Sequence, residues 1–253
     1  MIISKKLCKF KEIKHGFFNR SGGKSSGIYK SLNCGIGSSD NKKNIIKNLK
    51  IVCKKIRCSD KKLVLLHQIH SNKFAFINEK YNFNKKKIKA DALITNINKV
   101  AIGVLTADCV PILIYDKKLK IISAIHAGWK GAYKKITSKV IKFFLKKGSE
   151  LKNIYAIVGP SITKKNYEVK EDFKQRFLKK DRKSLKFFIS KKNKTYFSLN
   201  KYVYFQLKEI GVKNLELIDK DTFDKKNNFF SARRSIQNNK EDYGRNISII
   251  MVK

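Results

Sequence analysis

The chain has 253 residues and carries 59 Lys and Arg against 19 Asp and Glu, a formal charge of +40 at pH 7. Its 42% hydrophobic content supplies a core for a chain of this length and excludes a disordered polycation. Only seven of the basic residues are Arg (Arg20, Arg57, Arg176, Arg182, Arg233, Arg234, Arg245), so the charge is a lysine excess that fits an AT-rich coding bias and argues against a specific nucleic-acid binder, which would use Arg for bidentate contacts.

Met1-Ile2-Ile3-Ser4-Lys5-Lys6 lacks the apolar stretch of a secretory signal, and no apolar run approaches the roughly 18 residues that span a membrane. The five cysteines (Cys8, Cys34, Cys53, Cys58, Cys109) are odd in number and show no CxxC spacing. Reduced thiols, a cytoplasmic setting and no membrane partner are expected. Residues 17–37 are rich in Gly, Ser and Asn and read as loop. Ser39-Asp40 is placed to cap a helix over 42–53, where Ile45, Ile46, Leu49 and Val52 recur at helical spacing. Leu63-Val64-Leu65-Leu66 then runs into His67-Gln68-Ile69-His70-Ser71, the end of a buried strand turning polar. Residues 74–77 read as strand, 81–89 as an exposed lysine-rich loop, and 90–95 as the return to the core.

Residues 100–106 and the segment after them are the most apolar part of the chain. From Gly131 a helix is expected, with Tyr133, Ile136, Val140, Ile141 and Phe144 on one face and Gly148 as its end. A strand at 154–158 closes at Gly159-Pro160-Ser161. Helices near 170–178 and 201–210, a strand at 215–218 and a last strand at 247–252 complete the chain. No repeat or Pro/Gly linker divides it. The expected fold is α/β (α+β): one domain over 1–253, with mixed sheets and a central antiparallel hairpin flanked by helices.

That hairpin joins Thr106-Ala107-Asp108-Cys109-Val110-Pro111 through Asp116 to Leu119 through His126-Ala127-Gly128-Trp129. With Lys117 and Lys118 at its tip, Cys109 faces His126, and opposed residues have Cβ atoms roughly 4.5–5.5 Å apart. A thiolate and an imidazole so placed can share one metal ion or act as a catalytic pair. The chain has four histidines (His15, His67, His70, His126), three of them at these polar strand ends. His67 and His70 are three apart, so in an extended strand they point to opposite faces and one of them joins the pair. His15 reads as a satisfied polar residue, and Cys8, Cys34, Cys53 and Cys58 as inert thiols.

Several motifs occur in order: Arg20-Ser21-Gly22-Gly23, Ser31-Leu32-Asn33, Gln68-Ile69-His70-Ser71, Ala90-Asp91-Ala92, Thr106-Ala107-Asp108-Cys109 and His126-Ala127-Gly128-Trp129-Lys130-Gly131. Gly159-Pro160-Ser161-Ile162, Tyr167-Glu168-Val169 and Phe229-Phe230-Ser231 with Arg233-Arg234 follow. Over nearly its whole length the chain resembles the laccase-domain family, known first as polyphenol oxidases and later as purine nucleoside phosphorylases. The resemblance implies a zinc site of His70, Cys109 and His126. It also shows two departures: Asp221 stands before Thr222 where the family usually has Cys, and Ala232 stands between Ser231 and Arg233 where it often has Tyr.

Cys with two His and no evident fourth protein ligand is a zinc pattern with an open position. Copper is the other metal the same donors would take. Cys109, Asp108 and His126 are the candidate catalytic residues, with Asp108 as general base or ribose contact. Gln68 and Ser71 are candidates for binding the base, and Arg20, Arg233, Arg234 and Arg245 for cradling phosphate, because guanidinium holds it bidentately. The resemblance implies phosphorolysis of adenosine, inosine and methylthioadenosine with adenosine deaminase activity beside it, small-molecule partners only, and a monomer or small homo-oligomer. The alternatives are a copper-dependent polyphenol oxidase, for which four histidines are few, and a Cys/His hydrolase editing peptidoglycan precursors.

Overall fold

A computed structural model describes residues 1–83 and 87–253. In chain order its strands are β1 (Ile13–Phe17), β2 (Leu63–Leu65), β3 (Phe74–Ile77), β4 (Ala92–Thr95), β5 (Ala101–Thr106), β6 (Val110–Asp116), β7 (Ile122–Ala127), β8 (Ile154–Val158), β9 (Glu168–Val169), β10 (Phe188–Lys191), β11 (Lys194–Phe197), β12 (Asn214–Leu217) and β13 (Asn246–Val252). The helices are α1 (Lys42–Ile56), α2 (Trp129–Tyr133), α3 (Ile136–Lys146), α4 (Glu171–Lys180), α5 (Leu199–Glu209) and α6 (Ala232–Gln237).

Six strands form one sheet in the order β12-β8-β6-β7-β4-β3, four form a second in the order β1-β13-β5-β2, and β10-β11-β9 form a small third. Both larger sheets mix parallel and antiparallel pairs. Alternation along β6 and β8 explains the layering, since successive side chains leave a strand on opposite faces. Leu113, Tyr115 and Ile157 face Val64, Ile102, Val104, Ile250 and Val252 of the smaller sheet. Val110, Ile112, Ile114, Ala156 and Val158 face Ile136, Val140, Ile141 and Phe144 of α3 and Val203 and Leu207 of α5. The outer face of the four-stranded sheet is covered in turn by Val52 and Ile56 of α1. Sheets buried on both faces read as near-continuous apolar runs, and that is how β5, β6 and β13 look in the sequence. The expected α/β class with mixed sheets and a central hairpin is what the chain forms.

Five local expectations are corrected. The β6–β7 register places Pro111, not Cys109, opposite His126. The tip is longer than two residues: the Asp116 carboxylate accepts from the Lys118 and Leu119 amides at 2.7 and 3.0 Å, and the ladder closes with the Asp116 amide donating to the Ile121 carbonyl. This Asx-type turn, with Lys120 at φ 56°, outcompetes a two-residue connection that would need two Lys at positive φ. The helix expected from Gly131 breaks at Lys135 (φ 55°) into α2 and α3. Gln206, Lys180 and Asn72 donate to the carbonyls of Ala132, Tyr133 and Lys134 at the break, which stabilises it.

The cap of α1 is Asn41, whose side chain accepts from the Lys43 amide, while the Asp40 carboxylate turns inward to Ser25 and Asn33. Finally, β2 stops at Leu65, so His67 to His70 is not extended strand. Of the loop expected at 81–89, residues 84–86 lie outside the described residues; among the others Phe83 is exposed and Ile88 packs partly on the core.

Candidate metal centre and its cleft

Cys109 follows β5 in a sharp turn whose key residue is Asp108, at φ 83°. That conformation is uncommon outside Gly, and Asp is among the few side chains that tolerate it. Three donors hold it there: Thr222 Oγ1 at 2.7 Å, Ser231 Oγ at 2.9 Å and the Arg233 amide at 2.7 Å all reach the buried Asp108 carboxylate. Burial pushes the Asp108 carboxyl upward, against the pull of these donors. The carboxylate thereby ties the turn before Cys109 to the start of α6, where Ser231 is the cap.

The turn brings Cys109 to His126 despite the register difference. His70 Nε2 lies 3.9 Å from Cys109 Sγ, and the donor atoms of His70, Cys109 and His126 all lie within 4.8 Å of one another. Ligands of one tetrahedral zinc ion stand roughly 3.5 Å apart, so the three donors are close to the spacing the ion requires. Of the two histidines at the end of β2, the structure brings only His70 into the cluster; its own backbone is at φ 54°. His70 is exposed, Cys109 half-buried and His126 buried, so one side of the cluster is open to a ligand.

The buried carboxylate of Asp91 organises the cluster. It accepts from His126 Nδ1 at 2.8 Å, from the His70 amide at 3.0 Å, and from the amide and hydroxyl of Ser71 at 2.6 and 2.7 Å. These donors fill the lone-pair sites a carboxylate offers. The bond to Nδ1 fixes the ring so that Nε2 faces Cys109, the arrangement in which a metal-binding His is usually held by a carboxylate. Burial opposes the Asp91 charge, but the bonds from His126 and Ser71 outweigh it and hold the carboxyl below its ordinary range.

Charge within the cluster follows from this geometry. Burial works against the Cys109 thiolate, yet the His126 and His70 imidazoles beside it bring its pKa down to about 6. Burial likewise works against the His126 imidazolium, yet Cys109 and Asp91 hold it up to about 9. A thiolate is the form that ligates metal. Gly128 completes the fit: a Cβ there would come within 2.9 Å of His70 Cδ2 and 3.1 Å of Cys109 Sγ. The donor set, its spacing and this cleared space suit a metal ion held by His70, Cys109 and His126.

The cluster lies in a cleft of about 470 Å³ that Gln68, Lys87, Tyr243 and Arg245 also line. Gln68 donates to and accepts from the backbone of Leu105, both at 2.8 Å, so its amide extends the edge of β5 as a strand would. Arg245 lies over the Tyr243 ring at 4.8 Å, with Nη1 donating to the Tyr243 carbonyl at 3.0 Å and Nη2 3.6 Å from Asp242. The other candidate arginines are elsewhere. Arg234 donates to the carbonyls of Thr222, Phe223 and Phe229. Arg20 bonds the Lys30 carbonyl beneath Phe230, and Arg233 bonds the Glu168 carbonyl over Tyr167. Asp221, one of the two departures, accepts from Thr163, Asn166 and the Phe223 amide. Sequence reasoning passed over Asp91 and Gly128 as parts of the site; the signal was a lone Asp entering an apolar strand and a Gly directly after His126-Ala127.

A profile of the family described as multi-copper polyphenol oxidoreductase laccase matches residues 14–253. A purine nucleoside phosphorylase of Rickettsia conorii is 35% identical over 219 residues, spanning 85% of this chain and 88% of that one. A purine nucleoside phosphorylase of Bacteroides thetaiotaomicron is 31% identical over 239 residues, spanning 90% and 88%. Among solved structures, the hypothetical protein YfiH of Bacillus licheniformis superposes with a TM-score of 0.85 at 25% identity, covering 95% of this chain and 93% of that one. A Neisseria meningitidis protein gives 0.84 at 27% identity, covering 96% and 95%. The matched span contains His70, Cys109 and His126 and the Asp91 that orients two of them, and the chain belongs to this laccase-like family, whose similar members from Rickettsia and Bacteroides bear the name purine nucleoside phosphorylase.

Proposed function

We propose that the chain is a zinc-dependent purine nucleoside phosphorylase, acting on adenosine, inosine and methylthioadenosine, with deamination of adenosine as a second reaction of the same site. The observation that carries this reading is one cleft in which His70, Cys109 and His126 converge beside Arg245 and Lys87. A zinc ion bound by the three donors supplies a positive centre that orients and polarises an oxygen of the bound ligand.

The chain's own groups do the rest. Arg245, whose Nη1 also donates to the Tyr243 carbonyl, keeps further N–H donors of its fork for phosphate, and Lys87 adds a second positive charge at the same cleft. Tyr243 backs the Arg245 guanidinium and Asp242 steers it, which limits the geometries it can adopt. Asp91 keeps the His126 proton on Nδ1, and Asp108 holds the turn that presents the Cys109 thiolate. Leu66, Leu105 and Ile36 give the cleft an apolar wall that limits water around a bound sugar. A copper oxidase with several metal centres would need further ligand groups, and among the described residues His70, Cys109 and His126 are the one group arranged to take a metal.

The test is turnover of adenosine by zinc-loaded protein with and without phosphate, with adenine, inosine and hypoxanthine separated by chromatography. Adenine formed only with phosphate is the expected result, and inosine formed without it marks the second reaction. No product under either condition would overturn the proposal.

A further inference from the structure

A second, smaller cleft of about 280 Å³ has Trp129, Tyr167, Phe173 and Arg233 in its wall. Three of these residues tie it to the metal centre. Trp129 directly follows Gly128, the residue that leaves room for His70 and Cys109. The Arg233 amide donates to Asp108, the residue before Cys109. Tyr167 is near enough to Cys109 and Asp108 for their charges to act on its phenol, alongside the larger effect of burial.

The rings in this cleft differ from those of the core behind it. Phe177, Phe188 and Phe197 are buried and packed on one another, which is ordinary core filling. Trp129 and Tyr167 are only partly buried and meet Phe173 edge-on, at 5.3 and 6.3 Å between centroids. Each of these rings keeps some exposed surface, and exposed aromatic surface is what a planar heterocycle stacks on. Arg233 lies over the Tyr167 ring at 5.4 Å, fixed there by its bond from Nη1 to the Glu168 carbonyl. The rest of its fork is of the kind that pairs with the O6 and N7 acceptors of a 6-oxopurine such as hypoxanthine, and with N7 alone of adenine.

We propose that this aromatic cleft receives the purine base of the nucleoside, a placement that rests on the phosphorolysis reading above. In that reaction a phosphate oxygen bonds to C1′ as the C1′–N9 bond breaks. The bond's electron pair leaves with the purine, and the proton carried by the phosphate ends on the released base. Nucleophile and leaving group lie on opposite sides of C1′, so the reaction calls for two adjoining subsites of unlike chemistry. The cleft of Arg245 and Lys87 suits the anion; the cleft of Trp129, Tyr167, Phe173 and Arg233 suits the base.

Trp129 is the only tryptophan of the chain, so its emission reports on this cleft alone. Hypoxanthine titrated into the zinc-loaded protein is expected to quench it to saturation, whereas inorganic phosphate is not. Tyr167→Leu is expected to raise the Kd for hypoxanthine and the KM for inosine about tenfold with the KM for phosphate unchanged, and Tyr167→Phe, which keeps the ring, to restore both. Wild-type protein that turns over inosine with phosphate, yet shows unchanged Trp129 emission at saturating hypoxanthine, would put the base elsewhere and leave phosphorolysis standing. A Tyr167→Leu protein with wild-type Kd and KM would do the same. Absence of phosphate-dependent turnover of any purine nucleoside would remove the reading itself, and the placement with it.

Discussion

His126 Nδ1 and Asp91 Oδ1 stand 2.8 Å apart with both side chains buried, and the same carboxylate holds the His70 amide and both donors of Ser71. One side chain thus sets the position of two of the three candidate metal ligands. Asp91→Asn puts an amide NH₂ where these donors need an acceptor. Zinc affinity is expected to fall roughly 10- to 100-fold, as when a carboxylate behind a metal-bound His is lost. Competition with a chromophoric chelator measures this, and unchanged affinity would remove Asp91 from the site.

Gly128→Ala tests the space between the ligands. Its Cβ would stand 2.9 Å from His70 Cδ2, well inside normal contact. His70 is exposed and able to move, so the cost is expected in metal binding rather than in folding. Zinc content after gel filtration should drop well below that of the wild type, while the urea unfolding midpoint of the metal-free protein stays nearly unchanged.

Arginines 234 and 245 are expected to separate structure from ligand binding. Arg234→Met leaves the carbonyls of Thr222, Phe223 and Phe229 without their donor and should cost about 2–3 kcal/mol of stability. Arg245→Ala should change stability little and raise the KM for phosphate at least tenfold. Thermal unfolding and phosphate-dependent turnover of both variants check the pair, and the reverse pattern would exchange their roles.

The acid side of the stability curve follows from His15. Burial holds its imidazole down to about 4 from the ordinary 6.5, and the neutral Nε2 accepts from the Ser4 amide at 2.9 Å. Between those values the unfolded chain binds the proton and the folded chain does not. Stability from this group is therefore complete above pH 6.5 and is lost as pH falls towards 4, at most about 3 kcal/mol in all. His15→Gln, whose side-chain carbonyl can take the same bond, should flatten the dependence of urea stability on pH in that window.

Much of this was legible in the residues. The apolar runs at β5, β6 and β13 and the helical spacing of Ile45, Leu49 and Val52 follow from burial on two faces or one. The meeting of Cys109 with His126 was also legible, though for a reason the hairpin alone does not supply: the turn at Asp108 brings the thiol in from beyond the strand. The β10–β11 hairpin went unread because Lys192-Asn193, both at positive φ, lacks the Gly that usually marks such a turn. The role of Asp91 was hidden because its partners come from two separate segments, at 70–71 and at 126, and no local pattern records a tertiary hydrogen bond. Of the arginines grouped as one cradle, only Arg245 lines the metal cleft; the guanidiniums of all four hold backbone carbonyls, a choice set by loop packing.

Cys109→Ala is the most direct test of the account. Wild-type protein should bind zinc at the three donors and release adenine from adenosine only when phosphate is present. The variant should lose both the metal and the turnover while keeping its circular dichroism spectrum. A variant that retains phosphate-dependent turnover at the wild-type rate would contradict the assignment of His70, Cys109 and His126 as the functional centre.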